Sequence, residues 1–221
     1  MLFPLRSLIR LRSFPAITLL LIIVNVFCFL FERALTPYGQ RLLIDQYALV
    51  PDRLHFSSLL TSMFLHGGWM HLIGNMWFLW VFGSRVEDVI GPFRYVIYYL
   101  VCGVAAAFVH LILNLGSPMP TIGASGAIAG VMGGFLLLYP RARIVTLVMV
   151  IIFFTTIEVP AGLLLLYWFF IQVFSGLVSF HRMSFTDAGN VAWFAHIGGF
   201  VAGMLLLAMF RGRTRRPSYS Y

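Results

Sequence analysis

The run TIGASGAIAGVMGG, residues 121–134, sets one hydroxyl, Ser125, among glycines and apolar side chains. A serine hydroxyl becomes a useful nucleophile only when a neighbouring base takes its proton, and a neutral imidazole can do so. AHIGGFVAG supplies a candidate base: His196 shares a helical face with Gly199 and Gly203, three and seven residues further on. A histidine beside two glycines sits where a neighbouring backbone comes close. A third element lies in HGGWMHLIGNMWFLW, where His71 and Asn75 are four apart and so share a helix face. Their N–H groups suit an oxyanion hole, which stabilises charge as it develops on a tetrahedral intermediate.

Each element also has a plainer meaning. Ser125, Ala129 and Gly133 form one row of a helix, and Gly126, Gly130 and Gly134 the next. Such a smooth strip is a packing seam for another helix, with Ser125 as one more small residue. His196 could bond a backbone carbonyl, and Asn75 could bridge two helices. His66 lies off the His71 face and reads as loop architecture, and His110 reads as packing. No HExxH occurs, and histidines scattered without carboxylates do not make a zinc site, so neither metal nor cofactor is called for.

These residues need elements to hold them, and composition says which kind. The 221-residue chain is 61% hydrophobic and 10% charged, with a mean hydropathy of +0.94. Soluble domains carry about 25% charged residues, so this is a membrane chain. Its net charge of +8 comes from arginine, since lysine is absent. Arginine on so apolar a chain marks loops facing anionic membrane lipids, and no basic stripe interleaved with aromatics suggests nucleic acid. Cys28 and Cys102 both fall in apolar segments, which argues against a disulfide framework.

A helical span needs roughly 20 apolar residues. Residues 14–31, 69–83, 94–115, 159–180 and 190–210 meet or approach that length, and 122–139 is a shorter sixth. The run 144–157, closed by Pro160, reads as a connecting or interfacial segment. Arg6, Arg10 and Arg12 precede the first span, Arg85 and Arg94 lie between the second and third, and Arg141 and Arg143 follow the fourth. Four more arginines follow the last span. Six spans therefore put both termini in the cytoplasm, whereas seven would place the C-terminal arginines outside. The first span lacks a convincing cleavage site and is expected to stay attached.

From Ser125 to Tyr139 is about 21 Å of helix, short of the hydrocarbon thickness. Residues 116–124 must then dip inward, leaving Ser125 beneath an opening through which water enters. Non-helical backbone at that depth is tolerated only when protein buries it or it lines a wet cavity. Counting inward from residue 190 puts His196 near the same depth, and His71 and Asn75 fall in the outer half of their span.

Taken together, these residues resemble the rhomboid family of intramembrane serine proteases. The resemblance covers roughly residues 14–210. It rests on GxSG as Gly123-Ala124-Ser125-Gly126, on His196 followed by Gly199 and Gly203, and on His71 and Asn75 with His66 five residues before. It implies Ser125 as nucleophile, His196 as general base, and His71, Asn75 and the Ser125 backbone N–H as oxyanion donors. It also implies a membrane-embedded first loop at 32–68, and a mobile gate made by the fifth span with a cap at 181–190. Two positions depart from the pattern. Some members carry an aromatic residue four after the serine, where this chain has Ala129, and the Trp-Arg pair of some first loops is not evident.

The expected protein is all-α: a six-helix, rhomboid-like membrane bundle at 14–210, with a basic N-terminus at 1–13 and a basic tail at 211–221. Its expected function is cleavage of transmembrane or juxtamembrane segments of other membrane proteins by a Ser125–His196 dyad. Gly123, Gly126, Gly199 and Gly203 would provide close packing at the site. The expected location is the cell membrane, in a bacterial cytoplasmic membrane. The alternative is a non-catalytic rhomboid-like protein that binds client helices. A transporter is disfavoured because the spans are nearly free of charge.

Overall fold

The computed structural model describes residues 2–150, 153–181 and 192–210. A strand, β1 (Leu2–Ser7), leads into the long apolar helix α1 (Ala16–Ala34), followed by α2 (Pro37–Tyr47) and the short α3 (Ser58–Thr61). Helix α4 (Trp69–Phe78) continues through a π-helical turn at Leu79–Gly83 into α5 (Ser84–Ile90). Then come α6 (Pro92–Leu113), α7 (Ser125–Leu138), the strands β2 (Arg143–Val150) and β3 (Phe153–Pro160), and the helices α8 (Ala161–His181) and α9 (Trp193–Phe210). Among the described residues four helices, α1, α6, α8 and α9, are long and apolar enough to cross a membrane, and α7 is a shorter apolar helix.

Helix α7 forms the centre. All its residues except Ser125 and Leu137 are buried, and it packs most closely against α9 and α6. At its tightest contacts only glycine allows that approach. A methyl group at Gly199 would overlap the carbonyl oxygen of Gly126, and one at Gly203 would overlap that of Gly130. Tyr98 of α6 locks the seam, its hydroxyl lying 3.0 Å from the Gly130 carbonyl oxygen and 2.8 Å from that of Gly203. Large apolar side chains on the outer helices remain exposed, among them Phe27, Phe170, Phe174 and Leu205. In lipid that exposure carries no hydrophobic penalty.

Two buried carboxylates from α5 close the start of α1. Glu87 accepts from the backbone N–H of Ile17 and Thr18 at 2.9 and 2.8 Å, and from the Thr18 hydroxyl at 2.7 Å. Asp88 accepts from the backbone N–H and hydroxyl of Ser13. The first N–H groups of any helix lack intrahelical acceptors, and negative charge there opposes the positive end of the helix dipole.

The all-α expectation needs correction. Strands β1, β2 and β3 form an antiparallel sheet in that order, with Leu2 opposite Val148 and Arg143 opposite Pro160. The described residues of the run 144–157 thus belong to two paired antiparallel strands, and the basic N-terminal segment 1–13 contributes the third. β-branched residues such as Val145, Thr146, Thr155 and Ile157 favour extended backbone. The expected second span at 69–83 is also longer than the apolar run suggested, since helical backbone continues to Ile90. It stops at Gly91, whose φ of 84° favours glycine, just before Pro92. The expected cap at 181–190 (apart from residue 181) and the tail at 211–221 lie outside the described residues.

Candidate active site

Three helices begin at the candidate site. Ser125 is the first residue of α7, His196 lies in the first turn of α9, and His71 in the first turn of α4. The first N–H groups of α7 point out of the helix and find no intrahelical acceptor, so this end offers donors and a positive dipole. Ser125 is half-buried and His196 buried. Ser125 Oγ lies 2.8 Å from His196 Nε2, a full hydrogen-bonding approach between helices 71 residues apart in sequence.

The loop before Ser125 is tied down on its other side. Gly123 donates its N–H to the Ser62 carbonyl at 2.9 Å, and Thr121 pairs with Leu49 in both directions. These bonds satisfy backbone that leaves the helical ladder. His110 belongs to this support: its Nε2 is 2.9 Å from the Thr121 hydroxyl, and its backbone carbonyl accepts from Asn114 Nδ2 at 2.8 Å. It holds the loop, at a place where simple packing was expected.

Gly123 has a φ of 123°, a conformation other residues rarely adopt. Space forbids a side chain as well. A Cβ there would lie 2.6 Å from His71 Nε2 and 3.6 Å from Asn75 Nδ2. The ring and the amide therefore converge on the backbone two residues before Ser125. Asn75 Nδ2 is also 3.0 Å from His66 Nε2. Burial pushes the His66 pKa down to about 4, reinforced by nearby His71, so the ring is neutral at physiological pH. The loop residue His66 thus orients Asn75, and Glu32 accepts the His66 backbone N–H at 3.3 Å.

Ala129 leaves no aromatic ring beside His196 on α7. Helix α8 supplies what is missing. The Trp168 ring lies 5.8 Å from the imidazole, tilted by 35°, and buried Gln172 places its Oε1 2.8 Å from His196 Nδ1. Trp193 adds an edge contact at 6.4 Å. Neither Trp168 nor Gln172 was singled out from the sequence. The available signal was that Gln172 is the lone carboxamide in the apolar run 161–178, and a polar group at such depth requires a partner. Among the described residues no group of histidine, cysteine and carboxylate side chains has the arrangement of a metal site.

The model of the rhomboid domain matches residues 53–213. The chain belongs to the rhomboid family. Curated rhomboid relatives include the mitochondrial presenilin-associated rhomboid-like protein of Bos taurus, 31% identical over 138 residues that make up 61% of this chain and 36% of that protein. Rhomboid protein 1, mitochondrial, of Saccharomyces cerevisiae is 29% identical over 153 residues, 67% of this chain and 40% of that protein. The rhomboid protease GluP of Bacillus subtilis is 40% identical over 78 residues, 35% of this chain and 15% of its own length. The matched region thus spans less than half the length of each of these relatives. The family match and the membrane helices together make the chain a multi-pass rhomboid membrane protein.

Proposed function

We propose that this rhomboid is an intramembrane serine endopeptidase acting on transmembrane or juxtamembrane segments of other membrane proteins. The observation that carries the proposal is the 2.8 Å approach of Ser125 Oγ to His196 Nε2. It occurs where three helices begin and two further N–H-bearing side chains converge. In the first step Oγ bonds to the substrate carbonyl carbon, its proton passes to Nε2, and the carbonyl electrons move onto oxygen. The oxyanion sits among donors from His71, Asn75 and the N-terminus of α7. Collapse breaks the C–N bond, and the Nε2 proton leaves with the amine. Water then attacks the acyl-enzyme by the same proton route.

The proposed topology has six spans: the four long helices, the continuous α4–α5 helix and the short α7. Both termini and the arginine-bearing turns face the cytoplasm, which agrees with the positive-inside rule. The domain division at 14 and 210 follows from the same count, with the antiparallel sheet as an addition on the cytoplasmic side. The bovine and yeast relatives are mitochondrial by name and give the bacterial cytoplasmic membrane no support.

Purified protein in detergent should cleave a model single-span substrate, and Ser125→Ala should abolish cleavage while retaining the fold. Equal cleavage by the variant would refute the site assignment. Tight binding of the substrate with no product from either protein would favour the client-binding alternative.

A further inference from the structure

The amide of Gln172 lies between the Trp168 carbonyl and the His196 ring. Gln172 and Trp168 are four residues apart on α8 and so share a face. Gln172 Nε2 donates to the Trp168 carbonyl oxygen at 3.3 Å. A carbonyl oxygen only accepts, so the amide nitrogen must face it, and the amide oxygen must face the imidazole. Reversing the amide would set two acceptor oxygens against each other in a buried place. The oxygen that faces His196 Nδ1 at 2.8 Å can only accept as well. Nδ1 must therefore carry the hydrogen, and in the neutral ring Nε2 then has a free lone pair, 2.8 Å from Ser125 Oγ. The opposite tautomer would turn an N–H toward the serine and could not take its proton.

We infer that Gln172 is a positioning residue that fixes the His196 tautomer, keeping the proton on Nδ1 and Nε2 as the acceptor for Ser125. The inference rests on the serine–histidine chemistry proposed above and extends it to a third helix. Gln172 is 4% exposed, so water does not compete for the bond. The Trp168 ring beside the imidazole and the bond at Nδ1 together perform the support that Ala129 cannot. During the reaction the Oγ proton moves to Nε2 and on to the leaving amine, while the Nδ1 proton stays with Gln172. Because the acceptor is neutral, it orients the base without stabilising the imidazolium by charge. A chain that lacked the α8 amide would hold the same serine and histidine in an uncertain protonation pattern.

The test reads the tautomer directly and activity separately. Nitrogen NMR of histidine-labelled full-length protein, in the Ser125→Ala background, should find the His196 hydrogen on Nδ1. Gln172→Leu should spread it over both nitrogens. With Ser125 intact, Gln172→Leu should lower kcat about 10- to 100-fold with KM little changed, and Gln172→Glu should recover most of the loss at high pH. The carboxylate would favour the protonated ring, so the rising limb of the Gln172→Glu pH profile should move upward by about one unit. Among the described residues, the titratable groups whose charge reaches the ring are His71 of α4 and His110 of α6. Neither changes in these variants, so a moved profile reports position 172. A hydrogen on Nε2 in the Ser125→Ala protein would overturn the inference without any variant at 172. So would a Gln172→Leu protein with unchanged tautomer and kcat. If no substrate is ever cut, the NMR result still decides the tautomer, and only the protease proposal fails.

Discussion

Replacing Gly199 by alanine adds one methyl group and should nearly silence the site. That methyl overlaps the carbonyl oxygen of Gly126, which is backbone and cannot rotate away. Ordinary contact begins near 3.4 Å, so α9 and α7 must separate by roughly 1 Å, a displacement large enough to cost about 10²-fold in rate. The consequence is local, because Gly126 adjoins Ser125 and Gly199 lies one turn from His196. Moving the helices apart by that much would stretch the 2.8 Å bond between Ser125 and His196 beyond useful range. Valine, which brings two further methyls to the same contact, should be worse and should also lower thermal stability. Gly74 provides a matched control on α4, since a methyl there meets nothing within 4 Å. The assay is the initial cleavage rate of a single-span substrate in detergent, with thermal unfolding recorded on the same preparations. A folded Gly199→Ala protein with wild-type kcat would show that the site does not depend on the α7–α9 seam.

Other perturbations test separate parts of the account. Asn75→Ala and His71→Ala should each lower kcat about 10²–10³-fold with little change in KM, and the double variant should lose less than the sum. Steady-state kinetics decides this, and unchanged kcat in both would leave the oxyanion to backbone N–H groups alone. Glu87→Ala strands three donors at the start of α1. At about 1 kcal/mol each, it should lower Tm by about 6–12 °C, with kcat among surviving folded molecules preserved. Tyr98→Phe removes the hydroxyl that touches Gly130 and Gly203. It should cost about 0.6–2 kcal/mol, read as a reduced midpoint in a denaturant titration.

The approach of Ser125 to His196 was legible because each is a lone polar group in an apolar helix and each shares its helix with closely spaced glycines. The close seam was legible in part: glycine spacing identified the small faces, but the pairing of Gly199 with Gly126 and Gly203 with Gly130 needed the folded chain. Gln172 gave the same kind of signal, one amide in a long apolar helix, but nothing in the sequence around it named His196 as its partner. The sheet was hidden for a different reason. In the run from Ile144 to Val159 apolar and hydroxyl-bearing residues fall on both faces, so the alternation that marks a half-buried strand is missing. The partner of β2 is Leu2–Ser7, more than a hundred residues earlier, and no local periodicity records that pairing.

The central claim is that Ser125 is a nucleophile activated by His196, and covalent labelling tests it most directly. A fluorophosphonate probe phosphonylates an activated serine, releasing fluoride as the new P–O bond forms. Mass spectrometry of the digested protein should then locate the adduct on Ser125, with labelling lost in Ser125→Ala and strongly slowed in His196→Ala. A folded wild-type protein that takes no label at Ser125, or labels equally fast without His196, would contradict the account.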